Sequence, residues 1–212
     1  RYLMCPPEHF GVLYEINPWM HREIAVDTDR ARVQWEALVA LLRDAGAEIE
    51  TIAPHPDWPD MVFTANAGLV FRGSFLPSRF RFGVRQGESP IFERWARDHG
   101  FEIVPLPDGM FFEGAGDALF CGETLFAGYR FRSDAASHAY LSRLTGAAVR
   151  SVELVDDRLY HLDITFCPLD ERRAIIAPLG WDAYGRKVME ALVPEPLALD
   201  DDEALQFCAN SM

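Results

Sequence analysis

The chain has 212 residues, of which 49% are hydrophobic and 25% charged, a composition typical of a globular protein with a full core. Its net charge of −13 argues against a nucleic-acid-binding protein, because binding phosphates requires a basic surface. No apolar run approaches the roughly 18 residues of a membrane-spanning helix, and no secretory signal pattern is present. We therefore expect a cytoplasmic protein with no nucleic-acid or membrane partner.

Four amphipathic segments predict helices, each followed by a short strand. In chain order the helices cover residues 30–45, residues 89–99, a segment between Ser133 and Gly146, and residues 182–192. Ser89-Pro90 opens the second helix with a cap residue and a first-turn proline, and Ser133 is predicted to cap the third. The alternation indicates a mixed α/β fold rather than a doubly wound sheet with a nucleotide loop.

A polar residue recurs inside apolar runs that predict strands. The runs cover residues 12–17, 61–70, 110–120, 159–169 and 205–212. The recurring residues stand 47 to 49 positions apart; they are Asn17, Asn66, Glu113, His161 and Asn210. A fixed period of this size predicts a repeat architecture in which neighbouring units bury each other's apolar faces. If the units close around an axis, these five marker residues converge there and form a polar, titratable pocket.

The five markers define the starts of five units, but the fifth unit begins near Leu205 and the chain ends at Met212. We expect four complete units and a stub, so that residues 1–212 form a single domain that is truncated at its C-terminus. The open edges of such a ring would favour self-association, and a homo-oligomer is therefore one expected form.

Two segments carry groups suited to acid–base chemistry. Glu113 and Asp117 flank a small-residue turn inside an apolar run, although a plain bulge with solvated acids would have the same pattern. His161 and Asp163 alternate within a predicted strand, so we expect both on one face, where the carboxylate would orient the imidazole. The alternative is a histidine whose hydrogen bonds are satisfied in the core and which has no catalytic role.

The cysteines and histidines predict neither a metal site nor a cofactor. Cys5, Cys121, Cys167 and Cys208 stand singly in mostly apolar settings, which favours reduced, buried thiols. The six histidines lack metal-binding spacing, and no phosphate-binding loop or GxSxG motif occurs.

Five motifs in order, MCPPEHFGVLYEINPWM, WPDMVFTANAGLV, FEGAGDALF, AGYRFRSD and YHLDITFCPL, resemble the guanidine-modifying members of the pentein superfamily. Within it they are similar to arginine dihydrolases and to dimethylargininase-like amidinotransferase proteins. The resemblance implies a five-bladed α/β propeller with fivefold pseudo-symmetry, whose last blade is largely absent from this chain. It also implies a nucleophilic cysteine in that last blade, beyond residue 212, because Cys208 does not match the family's cysteine motif.

The resemblance also implies roles for individual residues. Glu113 and His161 resemble the catalytic acid/base pair of the family. The residues that resemble its substrate-binding groups are Asp60, Asn66, Asn17, Asp163, Arg85 and Arg132. Of these, the two aspartates would hold the guanidinium, the two asparagines would line the pocket, and the two arginines would clamp the substrate α-carboxylate. Asn66 stands where dimethylargininases carry Asp, and in this it resembles the dihydrolases.

Three functions are therefore considered. The first is hydrolysis of the guanidinium of a small cationic substrate through a cysteine-thiouronium intermediate, with arginine converted to ornithine and ammonia. The second is hydrolysis of dimethylarginine to citrulline and dimethylamine. The third, from another class, is a non-catalytic propeller that serves as a binding module, as in a ribosome-binding anti-association factor. The acidic chain and the retained Glu113–His161 pair speak against this third function.

Overall fold

The computed structural model describes residues 1–211, which form five α-helices and eleven β-strands. The helices are α1 Thr28–Asp44, α2 Ser89–Asp98, α3 Ala136–Thr145, α4 Ala183–Leu192 and α5 Asp201–Leu205. The first strands are β1 Tyr2–Met4, β2 Ile49–Thr51, β3 Gly68–Phe71, β4 Ser74–Pro77, β5 Glu102–Ile103 and β6 Ala118–Cys121. The remaining strands are β7 Thr124–Tyr129, β8 Ala148–Glu153, β9 Phe166–Pro168, β10 Arg173–Ile176 and β11 Glu195–Ala198.

The strands form four small sheets with one repeated topology. In three of them an antiparallel hairpin is followed by a helix and by a third strand that pairs parallel to the hairpin's second strand. These sheets are β3–β4–β5, β6–β7–β8 and β9–β10–β11, here called units 2, 3 and 4. Unit 1 contains only the parallel pair β1–β2, joined by α1. The predicted mixed α/β class is confirmed.

Side chains cap three of the five helices, α1, α4 and α5. Asp27 caps α1 by accepting from the backbone N–H of Arg30, and Asp182 caps α4 in the same way. The predicted caps of the second and third helices are wrong. Ser89 is the first residue of α2, after Glu88, and α3 begins at Ala136, after Ala135; neither preceding residue makes a side-chain cap. The hydroxyl of Ser133 is instead hydrogen-bonded to Asp117 and to the backbone N–H of Glu113.

The apolar runs that carry the markers do not form strands at the markers themselves. Three runs turn through short 3-10 helices first and enter their strands only afterwards. In the part of the chain that the structure describes, neither 12–17 nor 205–211 contains a strand, and Met212 lies outside the described residues. The predicted alternation of His161 and Asp163 along a strand is therefore wrong. An apolar run indicates that a segment is buried, but it does not distinguish a buried strand from a buried 3-10 turn.

The 3-10 helices bring marker residues together. Three of them contact one another in chain order: Thr64–Ala67, Gly114–Gly116 and Leu162–Ile164. The first contains Asn66, and the other two directly follow Glu113 and His161. The convergence of these three markers, which the repeat predicts, is therefore confirmed.

Three of the four core clusters join adjacent units, and the fourth packs Leu159 and Ile164 against Ala204 of α5. Phe75 and Phe92 of unit 2 pack in one cluster with Ile52 of unit 1. A second cluster joins units 2 and 3, and a third joins units 3 and 4 through Phe126 and Phe166. No helix within residues 1–211 has the length and apolar character required to cross a membrane.

The contact between the 3-10 helices generates a prediction about Gly114. This residue has φ +66, and a Cβ added to it would lie 2.7 Å from Gly68 N and 2.8 Å from Ala65 O. We expect Gly114→Ala to lower the free energy of unfolding by at least about 2 kcal/mol more than Gly46→Ala. Gly46 is the matched control because it has φ +91 and no atom within 4 Å of the added Cβ. Equal losses in urea denaturation would contradict the packing argument.

Candidate active site

His161 lies between two buried carboxylates. Its Nε2 is 3.4 Å from Glu113 Oε2, and its Nδ1 is 3.1 Å from Asp117 Oδ1. Asp117 is itself held by two donors: Ser133 Oγ donates to Oδ2 at 2.6 Å, and the backbone N–H of Leu162 donates to Oδ1 at 3.1 Å. Ser133 Oγ also accepts from the backbone N–H of Glu113 at 3.0 Å. One hydroxyl therefore joins the two residues that flank the histidine.

The charges of this cluster shift its protonation equilibria. Burial alone would lower the pKa of His161, but Asp117 and Glu113 outweigh burial and raise the pKa to about 9. Burial alone would raise the pKa of Glu113, but His161 and Arg132 outweigh it and lower the pKa to about 2. At neutral pH the site thus holds an imidazolium beside an ionised carboxylate, an arrangement that can deliver a proton to a leaving group.

Arg132 is the second cation of the cluster. Its Nη1 donates to Glu113 Oε2 at 3.1 Å, and its Nη2 donates to the backbone oxygen of Ile16 at 3.2 Å. The guanidinium also lies over the rings of Phe82 and Tyr160, 5.1 Å and 4.6 Å from their centroids. Two of its five N–H groups are used within residues 1–211, so donors remain for a ligand.

Arg85 and Glu88 form a buried ion pair at the edge of the cluster. Arg85 Nε and Nη2 donate to the two oxygens of Glu88, both at 2.8 Å. Nη2 also donates to the backbone oxygen of Asp60 at 3.2 Å, and Nη1 donates to Asn66 Oδ1 at 3.1 Å. The guanidinium packs 4.3 Å from the centroid of the Phe80 ring. The structure brings Arg85 to the pocket but engages four of its five N–H groups.

Asp60 combines deep burial with an unused acceptor. The residue is 2% exposed, and its Oδ1 has no hydrogen-bond partner among residues 1–211, while Oδ2 is 3.7 Å from Arg85 Nε. Burial raises the pKa of Asp60, an effect that Arg85 opposes. The Tyr14 hydroxyl faces this carboxylate, which together with burial raises the pKa of Tyr14, but its geometry gives no hydrogen bond. A ligand that donates to Oδ1 would remove the cost of a buried, unpaired acceptor.

The other predicted site residues differ in position. Asn66 is buried, and its Nδ2 lies 3.5 Å from His161 Nε2. Burial raises the pKa of Asp163 to about 7, against the opposing charge of His161. Asn17 is half-buried, and its Oδ1 accepts from the backbone N–H of Trp19 at 2.9 Å. Within residues 1–211, no hydrogen bond joins Asn17 to the cluster.

Three residues of this arrangement were not predicted from the sequence: Asp117, Ser133 and Glu88. The sequence places Asp117 beside Glu113 as a second acid but does not single it out as a partner of His161. It predicts Ser133 only as a helix cap. Glu88 had the clearest signal, because it stands three residues after Arg85, a spacing at which opposite charges meet on one helical turn.

The four cysteines are unpaired, and three of them are buried. Burial, reinforced by Glu8 and Glu88, raises the pKa of Cys5 to about 12. Buried thiols are thus confirmed for Cys5, Cys121 and Cys167, whereas Cys208 is exposed. Within residues 1–211, no group of three or more His, Cys, Asp and Glu residues is arranged to hold a metal ion.

The sequence is similar to enzymes that act on arginine derivatives, although no family model matches it. It is 42% identical over 217 residues to the bifunctional arginine dihydrolase/ornithine cyclodeaminase ArgZ of Synechocystis sp., covering 100% of this chain and 31% of ArgZ. It is 37% identical over 212 residues to the N(G),N(G)-dimethylarginine dimethylaminohydrolase of Mycobacterium tuberculosis, covering 100% of this chain and 70% of that protein. The chain thus spans less than a third of the bifunctional relative's length.

The fold is similar to crystal structures of the N-terminal domain of cyanobacterial ArgZ. The domain bound to substrate, with a cysteine replaced by serine, has a TM-score of 0.94 and 42% identity, covering 99% of this chain and 79% of that one. An asparagine-to-serine variant covalently bonded to a reaction intermediate has a TM-score of 0.94 and 41% identity, with the same coverage.

The position of Asp117 generates a prediction about protonation. Asp117→Asn removes the charge beside Nδ1, so we expect the pKa of His161 to fall from about 9 toward its ordinary value and the imidazolium to be lost at lower pH. NMR titration of the His161 imidazole measures this. Asp134→Asn is the matched control, because Asp134 pairs with Arg81 and should leave the midpoint unchanged. A midpoint in Asp117→Asn equal to that of the wild type would contradict the assignment.

Proposed function

This chain belongs to the guanidine-modifying pentein superfamily, and we propose that it forms part of an enzyme that hydrolyses the guanidinium group of L-arginine to give ornithine and ammonia. One observation carries the substrate class: the buried Asp60 Oδ1 has no donor within residues 1–211 and lies in a cluster with excess carboxylates. A guanidinium supplies several N–H donors in one plane together with a positive charge. Small cationic guanidino compounds are therefore the proposed ligands.

The carboxylates and arginines are proposed to hold opposite ends of this substrate. Asp60 and Asp163 would accept from the guanidinium, while Asn17 and Asn66 would line the pocket around it. Arg132, which retains free donors, would make most of the hydrogen bonds to the α-carboxylate. Arg85 would contribute the single N–H group that its other contacts leave.

The chemistry follows from the protonation of the cluster. A cysteine thiolate adds to the guanidinium carbon, and His161, protonated at neutral pH, gives its proton to the departing ammonia. Glu113, which stays ionised, stabilises His161 in its protonated form. The neutral His161 then takes a proton from water, which attacks the thiouronium carbon and releases citrulline together with the thiolate.

A second round on citrulline would complete the reaction. The thiolate attacks the ureido carbon, ammonia leaves, and water cleaves the resulting thiocarbamate to a carbamic acid that loses carbon dioxide. Arginine and two waters thus give ornithine, two ammonia and carbon dioxide. Asn66 supports this second round, because its neutral amide offers a donor as well as an acceptor, whereas a carboxylate could only accept.

The nucleophile is proposed to come from a fifth unit that follows residue 212. Three of the four thiols are buried, and no hydrogen bond within residues 1–211 joins Cys208 to His161. Unit 1 lacks the antiparallel strand that units 2, 3 and 4 each possess, so β1 could pair with a strand of such a unit. This arrangement corresponds to a five-bladed propeller in which residues 1–212 belong to one domain.

Hydrolysis of dimethylarginine is the second candidate, favoured by the 37% identity to the mycobacterial dimethylaminohydrolase. The two activities are separated by their products. Dimethylarginine would yield dimethylamine and citrulline, while the proposed activity yields ammonia and ornithine.

The full-length protein should release ornithine and ammonia from L-arginine faster than it releases dimethylamine from dimethylarginine. Amino-acid analysis of the products, with an enzymatic ammonia assay, measures both rates. Citrulline as the sole product from arginine would contradict a second round, and dimethylamine as the main amine would favour the second candidate.

Replacing either member of the acid/base pair should abolish most turnover. We expect His161→Ala or Glu113→Gln in the full-length protein to lower kcat by at least about 100-fold, the usual contribution of general acid–base catalysis. His99→Ala is the control, because that exposed histidine stacks on Trp95 at the end of α2, and the variant should retain most activity. Near-normal ammonia release by folded His161→Ala would exclude the assignment.

A further inference from the structure

Glu88 is a buried charge for which the proposed chemistry has no use. It is 0% exposed and precedes the first turn of α2. A carboxylate in this position costs several kcal/mol of desolvation unless it is fully paired. Arg85 supplies that pairing, since two parallel N–H groups meet the two carboxylate oxygens at 2.8 Å. The pair therefore acts as one rigid group, with the plane of the guanidinium set by the carboxylate.

The rigid pair contacts the site residue Asn66 through one atom of Arg85. Arg85 Nη1 donates to Asn66 Oδ1 at 3.1 Å. Arginine has only donors, so the atom of Asn66 that faces it must be the oxygen.

The amide nitrogen must then point the other way, into the site. Asn66 Nδ2 lies 3.5 Å from His161 Nε2. The space for it exists because residue 116 is glycine: a Cβ on Gly116 would overlap with Nδ2. An NH2 group in this position can donate to a neutral imidazole or to a ligand oxygen, but it cannot accept from an imidazolium.

We propose that Glu88 and Arg85 are a positioning pair that holds Asn66 with its NH2 group directed at the reacting centre. The inference rests on the proposed function and deepens it. Guanidinium nitrogens offer no acceptor, whereas the ureido oxygen of citrulline does. An amide locked as a donor is thus complementary to the substrate of the second round. Released from Arg85, the amide could turn its oxygen inward and would no longer favour citrulline over arginine.

The first test uses a measurement that does not depend on catalysis. Glu88→Gln removes the ionic anchor, because glutamine has one acceptor oxygen and its NH2 group would face one of the two N–H groups of Arg85. We expect the freed Asn66 to turn Oδ1 toward Nε2–H of His161, which would raise the pKa of His161 by about half a unit or more. Loss of a negative charge alone would shift the pKa downward, so the sign of the change separates the two explanations.

The charged groups that face His161 stay the same in this experiment. They are Glu113, Asp117, Asp163 and Arg132. Glu93→Gln is the matched control, because Glu93 also belongs to α2 but pairs with Arg97 at the surface. NMR titration of His161 in wild type, Glu88→Gln and Glu93→Gln should show a raised midpoint only in Glu88→Gln. An unchanged or lowered midpoint in that variant overturns the proposal.

The second test measures the products of the full-length protein. With L-arginine as substrate, we expect Glu88→Gln to raise the ratio of citrulline to ornithine about fivefold, the effect of one lost hydrogen bond, and Glu93→Gln to leave it unchanged. Glu88→Asp, which keeps the carboxylate, should give a ratio nearer to that of the wild type. A lower rate in Glu88→Gln at the wild-type ratio indicates a purely structural role and overturns the proposal.

Two further outcomes are distinguishable from these. If Glu88→Gln does not fold, Arg85→Lys replaces it in the His161 titration, because lysine keeps the charge but lacks the planar fork that holds Glu88 and Asn66 together. Wild-type protein that releases no ornithine from arginine refutes the proposed function, and the His161 titration then decides the positioning pair separately.

Discussion

The buried contact of His161 with Glu113 and Asp117 is the interaction on which the rest of the site depends. The carboxylates precede β6 in unit 3, and the histidine precedes β9 in unit 4, so the contact exists only while the two units pack in register. Removing one partner of a buried ion pair leaves an uncompensated charge, which typically costs about 3–5 kcal/mol. The chemistry of the cluster and the packing of neighbouring units are therefore coupled.

The 3-10 turns at the unit junctions have a chemical consequence. A residue in a strand commits its backbone N–H to the sheet, whereas a residue in a short turn leaves some N–H groups available. Leu162, in one of these 3-10 helices, uses its free N–H to hold Asp117, and Arg81, in the irregular segment after β4, uses its own to hold Glu113. Backbone donors thus supply hydrogen bonds to two carboxylates buried inside the protein. Regular strands at these positions would have left the same carboxylates with fewer partners.

The two buried arginines differ in how many of their N–H groups are hydrogen-bonded to the protein. Arg132 uses two N–H groups in this way and stacks on aromatic rings, so it can still bind an anion. Arg85 uses four, and it is enclosed by Glu88, Asp60 and Asn66. The cluster as a whole has more carboxylates than cations. A site with this excess of carboxylates favours a cationic ligand. The free N–H groups of Arg132 would orient that ligand by binding its anionic end.

The sequence by itself determined the repeat, the mixed α/β class and the approximate helices, because helical periodicity and capping residues such as Asp27 and Asp182 act over a few neighbouring positions. It also identified Glu113 and His161 as converging residues, since a repeat places equivalent positions around a common centre. The tertiary structure alone decided that the marker segments turn through 3-10 helices rather than continuing as strands.

Only the tertiary structure shows that the hydroxyl of Ser133 donates to Asp117 and that the amide nitrogen of Asn66 points into the site. The physical reason is distance along the chain. Asp117 finds its partners 16 and 45 residues away, in Ser133 and Leu162. A single sequence records that a buried polar group needs a partner, but which partner satisfies it is settled only when separate units pack against each other.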